Sequence, residues 1–383
     1  MLRKILIALA TLIVILIAAT IYVVRVATQR SARDAQANQQ QLQPSVVKGA
    51  NQFEKREFYN TPGLGDISEI LVGWPANREG AALTLVGNEA AHFLDASARL
   101  KKEVRFSRNT FCALEVSRLD ASGHYGFLTR DQSWASPVIF FDSQGQQHWS
   151  HSAGILSGID DSVSVDVDGS TAPDVVVGLN GAGGLVLLNS QGKKIWRKPE
   201  GNVWHVEALD TIDGRKKILH SDAQGQLLVR NLNGDIIARY LSDRYVSDFT
   251  VTRWGSGSRP DHILIPIKEG NDPARKPELI VLDTTGKIVA QLEAPPGEEL
   301  MHRVKGTPVR YGRNTDYYSV LFNVGAFSRS MLLLYDEQGR IAYEEILGES
   351  CLGIAALPGD AGERLLVGCS GKVFEYSPAG RGG

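Results

Sequence analysis

A short phrase of hydrophobic and polar positions returns along most of the chain. An apolar run leads into Asp or Asn, then come two residues and Gly, and a strand with alternating polar residues follows. A tight turn between an apolar and an alternating segment is typical of a β-hairpin. The clearest copies are VIFFDSQGQQHW from Val138, LVLLNSQGKKIW from Leu185, LLVRNLNGDIIA from Leu227, LIVLDTTGKIVA from Leu279 and LLLYDEQGRIAY from Leu332.

The spacing of these phrases predicts the fold. Weaker copies begin at Ala91 (AHFLDASARLKK) and Lys372 (KVFEYSPAGRGG), which brings the number of copies to seven. Successive turn positions are separated by 47, 47, 42, 52, 53 and 41 residues, the length of a four-stranded propeller blade. The sequence from 52 to 383 therefore predicts an all-β domain, a seven-bladed β-propeller of four-stranded antiparallel blades. The turn positions are Ala98, Gly145, Gly192, Gly234, Gly286, Gly339 and Gly380.

The last copy ends immediately after its third strand, which leaves the seventh blade one strand short. Before the first blade, QFEKREFYN (52–60) alternates as a strand does and has no other partner. We expect this segment to supply the missing outer strand and close the ring, because an open sheet edge invites aggregation.

The N-terminal segment is not globular. Residues 5–24, ILIALATLIVILIAATIYVV, are twenty uncharged residues, enough for one transmembrane helix. They predict an uncleaved signal anchor; the alternative is a cleaved secretory signal, for which ATQRSA is a poor cleavage site. Basic residues flank both sides, so the charge rule does not decide orientation. A short tail, 1–4, most simply stays in the cytoplasm. The Gln/Ala-rich residues 25–51 then form a linker to an extracytoplasmic propeller, periplasmic in a bacterium.

Composition excludes some function classes. Lys and Arg number 41 against 43 Asp and Glu, a formal charge of -2, so nucleic acid is not an expected partner. The 39 Gly residues and short β-branched runs favour strands joined by tight turns. The sequence has no Gly-x-Ser-x-Gly elbow, phosphate-binding glycine loop or His-Glu-x-x-His helix, so hydrolase and nucleotide-binding functions have little support.

Two motifs resemble known propeller repeats. DVDGSTAPDVVVG (166–178) resembles the FG-GAP repeat, whose loop binds calcium, and LVLLNSQGKKIW and VIFFDSQGQQHW resemble the pyrroloquinoline-quinone-type repeat. The first resemblance implies Ca²⁺ ligands from the side chains of Asp166, Asp168, Ser170 and Asp174 and a carbonyl near Ala172. The same letters also fit a plain Asx-type turn between two strands.

The second resemblance does not imply a quinone cofactor. In the quinoprotein dehydrogenases the cofactor sits in a larger eight-bladed domain, and this chain lacks their vicinal Cys-Cys pair. Non-catalytic relatives with such repeats, including the propeller lipoprotein of the outer-membrane assembly machinery, use their surface to hold protein partners.

Cys351 and Cys369 lie symmetrically about the turn LPGDAG. Residues placed in this way face each other across an antiparallel hairpin, at a separation compatible with a disulfide. An oxidising compartment would permit the bond, whereas buried free thiols would pack equally well.

Ligands of propellers usually meet the loops that lead into the innermost strands, around the channel. These positions could form a polar ligand site, or they could be ordinary solvated loop residues. They are Asp160, Asp161, Trp204, His205, Asp248, His302 and Arg303.

The sequence thus favours a membrane-anchored propeller that binds a protein or glycan as a non-enzymatic scaffold, in envelope assembly or adhesion. The alternative is an enzyme of the lyase or hydrolase type with its site at the channel mouth. A converging cluster of acidic residues and His with shifted pKa values would favour the enzyme. Exposed apolar and aromatic loops would favour the binding module.

Overall fold

Seven antiparallel sheets make up the described part of the chain, six of four strands and one of five. In the computed structural model the innermost strands of successive sheets contact one another in turn, and the last contacts the first, so the sheets form a closed ring of blades. The predicted seven-bladed β-propeller is confirmed. The structure describes residues 43–107, 113–119, 122–130, 137–154, 157–167, 172–211, 216–246, 248–255, 261–267, 278–294, 302–312, 316–324, 329–360 and 362–380.

Each blade runs from an inner to an outer strand. Blade one is β3–β6 (Glu69–Val72, Leu83–Val86, Ala90–Leu94, Leu100–Arg105), and blade two is β7–β10 (Ala113–Arg118, Tyr125–Arg130, Val138–Phe141, Gln147–His151). Blade three is β11–β14 (Ile159–Val165, Asp174–Leu179, Gly184–Leu188, Lys194–Lys198), and blade four is β15–β18 (Val203–Asp210, Lys216–Asp222, Leu227–Arg230, Ile236–Tyr240).

Two strands precede blade one in sequence and belong to the last two blades: β1 (Ser45–Lys48) and β2 (Phe53–Asn60). Blade five is β19–β22 (Thr250–Thr252, His262–Ile267, Glu278–Leu282, Ile288–Leu292). Blade six is β23–β26 (His302–Arg310, Asp316–Val324, Arg329–Tyr335, Ile341–Leu347) with β1 added, and blade seven is β27–β29 (Gly353–Gly359, Gly362–Gly368, Lys372–Pro378) with β2 added. Two short 3-10 helices, Pro62–Leu64 and Ala76–Glu79, flank β3.

Burial follows the position of a strand in its blade. Strands β12 and β13 are buried at every position, whereas the outer strand β14 is mostly exposed. The core is divided into layers between adjacent blades: Val165 and Leu187 of blade three pack with Val206 of blade four, for example. The apolar runs of the repeat are therefore middle strands covered on both faces.

The repeated Asp or Asn caps the turn that follows it. The Asp142 carboxylate accepts the backbone N–H groups of Gln144 and Gln146 at 2.8 and 2.9 Å. Asn189, Asp283, Asp336 and Asp95 accept the corresponding pairs of N–H groups in their own turns. This Asx capping explains why the phrase requires Asp or Asn at that position.

In blades three, four and five the turn glycine lies against an aromatic ring from the preceding blade. The Trp196 indole N–H donates to Leu232 O at 3.1 Å, and the Tyr240 hydroxyl donates to Thr284 O at 2.7 Å. Each acceptor lies two residues before a turn glycine, as does Ser190, which accepts from the Trp149 indole at 3.0 Å. A Cβ on Gly286 would overlap the Tyr240 ring, so only glycine permits this approach. We call this contact the aromatic stitch.

The outer strand of blade seven is β2. It pairs antiparallel with β29, from Phe53 opposite Pro378 to Asn60 opposite Lys372. Its Lys55 ammonium lies 2.8 Å from the buried Glu345 carboxylate of blade six. The ring is thus closed by a strand from the opposite end of the chain, at the position that the sequence analysis assigned to 52–60.

Strand β1 was not expected. It pairs with β26 and becomes the fifth strand of blade six, so part of the predicted linker 25–51 is ordered sheet. All four β1 residues are exposed. Pairing with β26 through the backbone, rather than burial of its side chains, holds this strand in place.

Cys351 and Cys369 form a disulfide at the inner edge of blade seven. Both residues are buried, and their Cα atoms lie 3.9 Å apart. The third cysteine, Cys112, is predicted from its first-strand position in blade two to be a core residue, and it lies outside the described residues.

Within the described ranges, no helix combines the length and the apolar character needed to cross a bilayer. The segment predicted to do so, 5–24, lies outside those ranges. The anchor therefore stays a prediction.

Candidate functional site

A cavity of about 570 Å³ opens at one end of the channel, among the inner strands of six blades. Its lining is strongly charged. The walls carry the carboxylates of Glu69, Asp160, Asp161, Glu207 and Asp248 and the cationic or basic side chains of His205, Arg303 and Lys305. Carboxylates outnumber the permanent cations, so the cavity favours a positively charged guest.

The sequence-predicted channel positions converge on this cavity. Six of them line it: Asp160, Asp161, Trp204, His205, Asp248 and Arg303. The seventh, His302, begins β23, but its side chain lies outside the described part of the chain. Their function as ligand contacts remains a prediction.

His205 occupies the centre of the acidic cluster. Its Nδ1 hydrogen-bonds with the carboxylate of Asp161, a residue only 2% exposed in its side chain. Its Nε2 lies 3.6 Å from Glu207 Oε1 and 3.9 Å from Asp248 Oδ1. The Phe249 ring packs against the imidazole edge with the ring centroids 4.6 Å apart. Burial alone would lower the pKa of His205, but the three carboxylates outweigh burial and hold it well above the ordinary value.

The same carboxylates tie neighbouring blades together. Asp161 accepts the Val206 N–H at 3.1 Å, and Asp248 accepts the Val304 N–H at 3.2 Å. In each case the acceptor belongs to one blade and the donor to the inner strand of the next. We call these contacts the inner latch, since each joins two adjacent inner strands across the channel wall.

Sequence reasoning missed three acidic residues on the inner strands, which together with Asp161 we call the acidic ring. Glu69 accepts the Val116 N–H at 3.4 Å, and Glu115 accepts both the N–H and the hydroxyl of Ser164, the latter at 2.6 Å. Glu207 accepts the Thr250 hydroxyl at 3.5 Å. A signal was present, because positions 69, 115, 161 and 207 are all acidic and equally spaced. One carboxylate at the same place on four successive inner strands indicates a repeated contact.

Three further groups shape the cavity wall. Burial raises the pKa of Asp160, and the neighbouring Asp161 adds to the effect, although two hydrogen bonds from the Asn180 amide oppose it. Arg303 adopts a positive φ of 52° just before the latch donor Val304. Lys305 extends from blade six to donate to Ser68 O of blade one at 2.6 Å. The cavity thus has a rigid wall whose charged groups are held in place before any guest arrives.

A metal role for the DVDGSTAPD loop stays a prediction. Of its side-chain ligands, Asp166 and Asp174 are described, and Asp168 and Ser170 are not. Asp174 is buried, and its carboxylate accepts the Val167 N–H at 3.4 Å, as in a turn. Among the described residues, no three His, Cys, Asp or Glu side chains are arranged to hold a metal ion.

The fold and cavity define a seven-bladed propeller with an acidic channel mouth. No protein-family model and no curated protein matches the chain. Solved structures do: a mercury-soaked crystal of BBS1N in complex with ARL6DN matches over 86% of this chain and 98% of that one, with a TM-score of 0.56 and 12% identity. The lead-soaked crystal of the same complex covers 86% and 99%, with a TM-score of 0.51 and 12% identity. At this identity the likeness establishes the fold alone.

Proposed function

We propose that this chain is a membrane-anchored, extracytoplasmic module that holds a protein partner at the acidic channel mouth. The observation that carries the proposal is the convergence of five carboxylates from four blades on one cavity of about 570 Å³. A cavity of this size and charge suits a Lys or Arg side chain projecting from a partner. The attraction is strongest where water is partly excluded.

The choice of a protein partner rests on two supports. The cavity has the preformed, rigid wall expected of a recognition site, since its carboxylates are already oriented by backbone N–H groups. The structural neighbour BBS1N is a propeller crystallised in a complex with another protein. A glycan remains the alternative partner, because planar carboxylates and Trp204 at the mouth also suit sugar hydroxyls.

The support for membrane anchoring and for an envelope role is in the sequence. The apolar segment 5–24 would keep the propeller close to the bilayer, where a scaffold could collect partners. Assembly or adhesion in a bacterial envelope fits such a position.

The binding proposal can be tested with short peptides of defined charge. We expect the full-length protein to bind a peptide with one exposed Lys or Arg, to bind its acetyl-lysine counterpart at least tenfold more weakly, and to lose affinity as salt rises. Glu207→Gln should remove most of this preference. Glu57→Gln, on the exposed outer strand of blade seven, is the matched control and should bind like wild type. Equal binding of charged and acetylated peptides would contradict the proposal.

One observation favours an enzyme as a second candidate. The carboxylates around His205 outweigh burial and raise its pKa, and burial raises the pKa of Asp160, so the channel mouth offers two candidate proton donors to a bound glycan. Release of unsaturated or reducing ends from polysaccharides, abolished by His205→Gln, would support a lyase or hydrolase. Absence of turnover across such substrates would leave the binding module as the better proposal.

A further inference from the structure

Exposed apolar side chains are gathered on one part of the propeller perimeter. Of the eight large apolar side chains that are exposed among the described residues, seven lie on the outermost strands of blades three to six. We call this surface the outer rim. Its members are Ile195 in blade three, Ile236 and Ile237 in blade four, Ile288 and Val289 in blade five, and Val46 and Val47 of β1 in blade six.

The aromatic stitch joins the outer strands of blades three and four to the turns of the next blades. Each outer strand lies against the turn of the next blade, so Ile195, Ile237 and Val289, each three residues after a turn glycine, recur at the same end of adjacent blades. Strand β1 continues the series, and its Lys48 lies 3.9 Å from Glu293, which follows the outer strand of blade five. A flat surface touching this curved rim would rest on its middle blades, four and five, each of which carries an aliphatic pair.

The rim is also basic. Exposed Lys193, Lys194 and Lys287 flank the aliphatic side chains, and Arg197 and Arg239 follow on the same strands. Exposed acidic residues in this region are fewer: Asp235 is paired with Lys198 at 3.1 Å, Glu293 lies 3.9 Å from Lys48, and Glu337 lies in the turn of blade six. The outer strand of blade seven differs: β2 balances two Glu against Lys55 and Arg56, and none of its large apolar side chains is among the exposed ones.

We propose that the outer rim lies on a membrane surface rich in anionic phospholipid. Aliphatic side chains among exposed Lys and Arg are the combination that binds the headgroup region of a bilayer. A second copy of the chain is a poorer occupant, because two basic rims would repel each other.

The short distance in sequence between the predicted membrane span and the propeller also supports a membrane surface as the partner of the outer rim. This inference rests on the proposed membrane anchor. The predicted span ends at 24 and β1 begins at Ser45, so the intervening residues reach at most about 70 Å. The chain joins the propeller at one end of the rim. An anchored propeller would therefore meet the bilayer at a high local concentration, and weak rim contacts would suffice to orient it.

The test uses the full-length protein with a photo-reactive phenylalanine derivative at Ile237 or, as a matched control, at Leu100. Leu100 is 47% exposed, against 50% for Ile237, but lies on the outer strand of blade one. Vesicles contain phosphatidylcholine with or without phosphatidylglycerol. We expect at least fivefold more lipid adduct at 237 than at 100 when phosphatidylglycerol is present. The triple variant Lys193→Glu, Lys194→Glu, Lys287→Glu should reduce the adduct at 237 to the control level.

Three outcomes would overturn the inference. Equal adducts at 237 and 100, or an adduct unaffected by charge reversal, would show that the rim has no preferred contact with lipid. Cross-links between two copies at 237 would assign the rim to self-association. Flotation with vesicles after high-salt and carbonate washing tests the anchor separately. If the protein floats but gives no adducts at the rim, only the rim contact is disproved. If the protein does not float, the anchor is disproved as well.

Discussion

The imidazole of His205 hydrogen-bonds with a carboxylate from the preceding blade, that of Asp161. That carboxylate also accepts the Val206 N–H at 3.1 Å, so one buried acid holds both the side chain and the backbone of the next inner strand. The contact therefore joins the proposed recognition chemistry of the channel mouth to the stability of the ring. A substitution at the cavity should change both binding and unfolding free energy.

Replacement of His205 should change the pH dependence of stability. The pKa of His205 is raised in the folded state, so its contribution is complete below about pH 6.5, the unfolded value, and is lost as pH rises through the folded-state pKa. We expect His205→Gln to cost about 3 kcal/mol near pH 6, because it leaves buried carboxylates without a counter-charge. The cost should shrink as pH rises above the folded-state pKa.

Thermal unfolding followed from pH 6 upward measures this effect. His148→Gln, an exposed histidine on β10, is the control and should follow wild type. If the melting temperature of His205→Gln ran parallel to that of wild type across this range, the acidic cluster would not be holding a proton.

The closing strand should depend on Lys55. Its ammonium shares the Glu345 carboxylate with the hydroxyls of Tyr343 and Tyr376, at 2.8 to 2.9 Å. Lys55→Met leaves that carboxylate buried without its cation, which we expect to cost about 2–4 kcal/mol by denaturant unfolding. Lys48→Met, which removes an exposed pair, should cost less than about 1 kcal/mol. Deletion of 52–60 should lower the melting temperature much further; an unchanged value would argue against closure by β2.

The aromatic stitch can be separated from the cost of a positive φ. Gly286 has φ 88° and faces the Tyr240 ring, whereas Gly201 has φ 80° and a Cβ placed there would have nothing within 4 Å. Gly201→Ala should cost about 1–2 kcal/mol from the left-handed conformation alone. Gly286→Ala should cost about 2 kcal/mol more, because the methyl group displaces the ring. Equal losses of unfolding free energy would mean that the ring relaxes freely.

The FG-GAP resemblance predicts calcium binding by DVDGSTAPD. Calcium that binds the folded state must raise its stability, by about 2.7 kcal/mol at a hundredfold excess over Kd. Calorimetric unfolding with calcium and then with chelator should show this rise in wild type and not in Asp168→Ala. An identical melting temperature in calcium and chelator would make the loop an Asx turn.

Local chemistry made the fold predictable. The caps at Asp142 and its equivalents, and the glycines that receive aromatic rings, act within or between adjacent turns, so they mark most of the blades in the sequence. Strand β1 was missed because SVVK is short, lies in a Gln-rich stretch and gains its order from a strand far away in sequence. The channel positions could be predicted because the propeller topology places the loops before the inner strands around the channel.

The acidic ring was harder to recognise. A Glu on a strand ordinarily indicates a face exposed to solvent, and only the closed ring turns Glu69, Glu115 and Glu207 toward a neighbouring blade. Their equal spacing becomes meaningful once each is known to lie on an inner strand. The outer rim could not be predicted from the sequence for a related reason. Its side chains belong to separate blades and form one surface only in the assembled propeller.

Of the two strands that precede blade one, β1 is added to blade six and β2 completes blade seven, and this order has a consequence for synthesis. A ribosome makes β1 and β2 first, but their partners are β26 and β29, the latter ending at Pro378. The early strands must wait, unpaired, while five blades are made, and unpaired strands are sites of aggregation. A chain that ended before blade seven would leave β2 without its partner β29. The ring therefore closes only after the whole propeller has been synthesised.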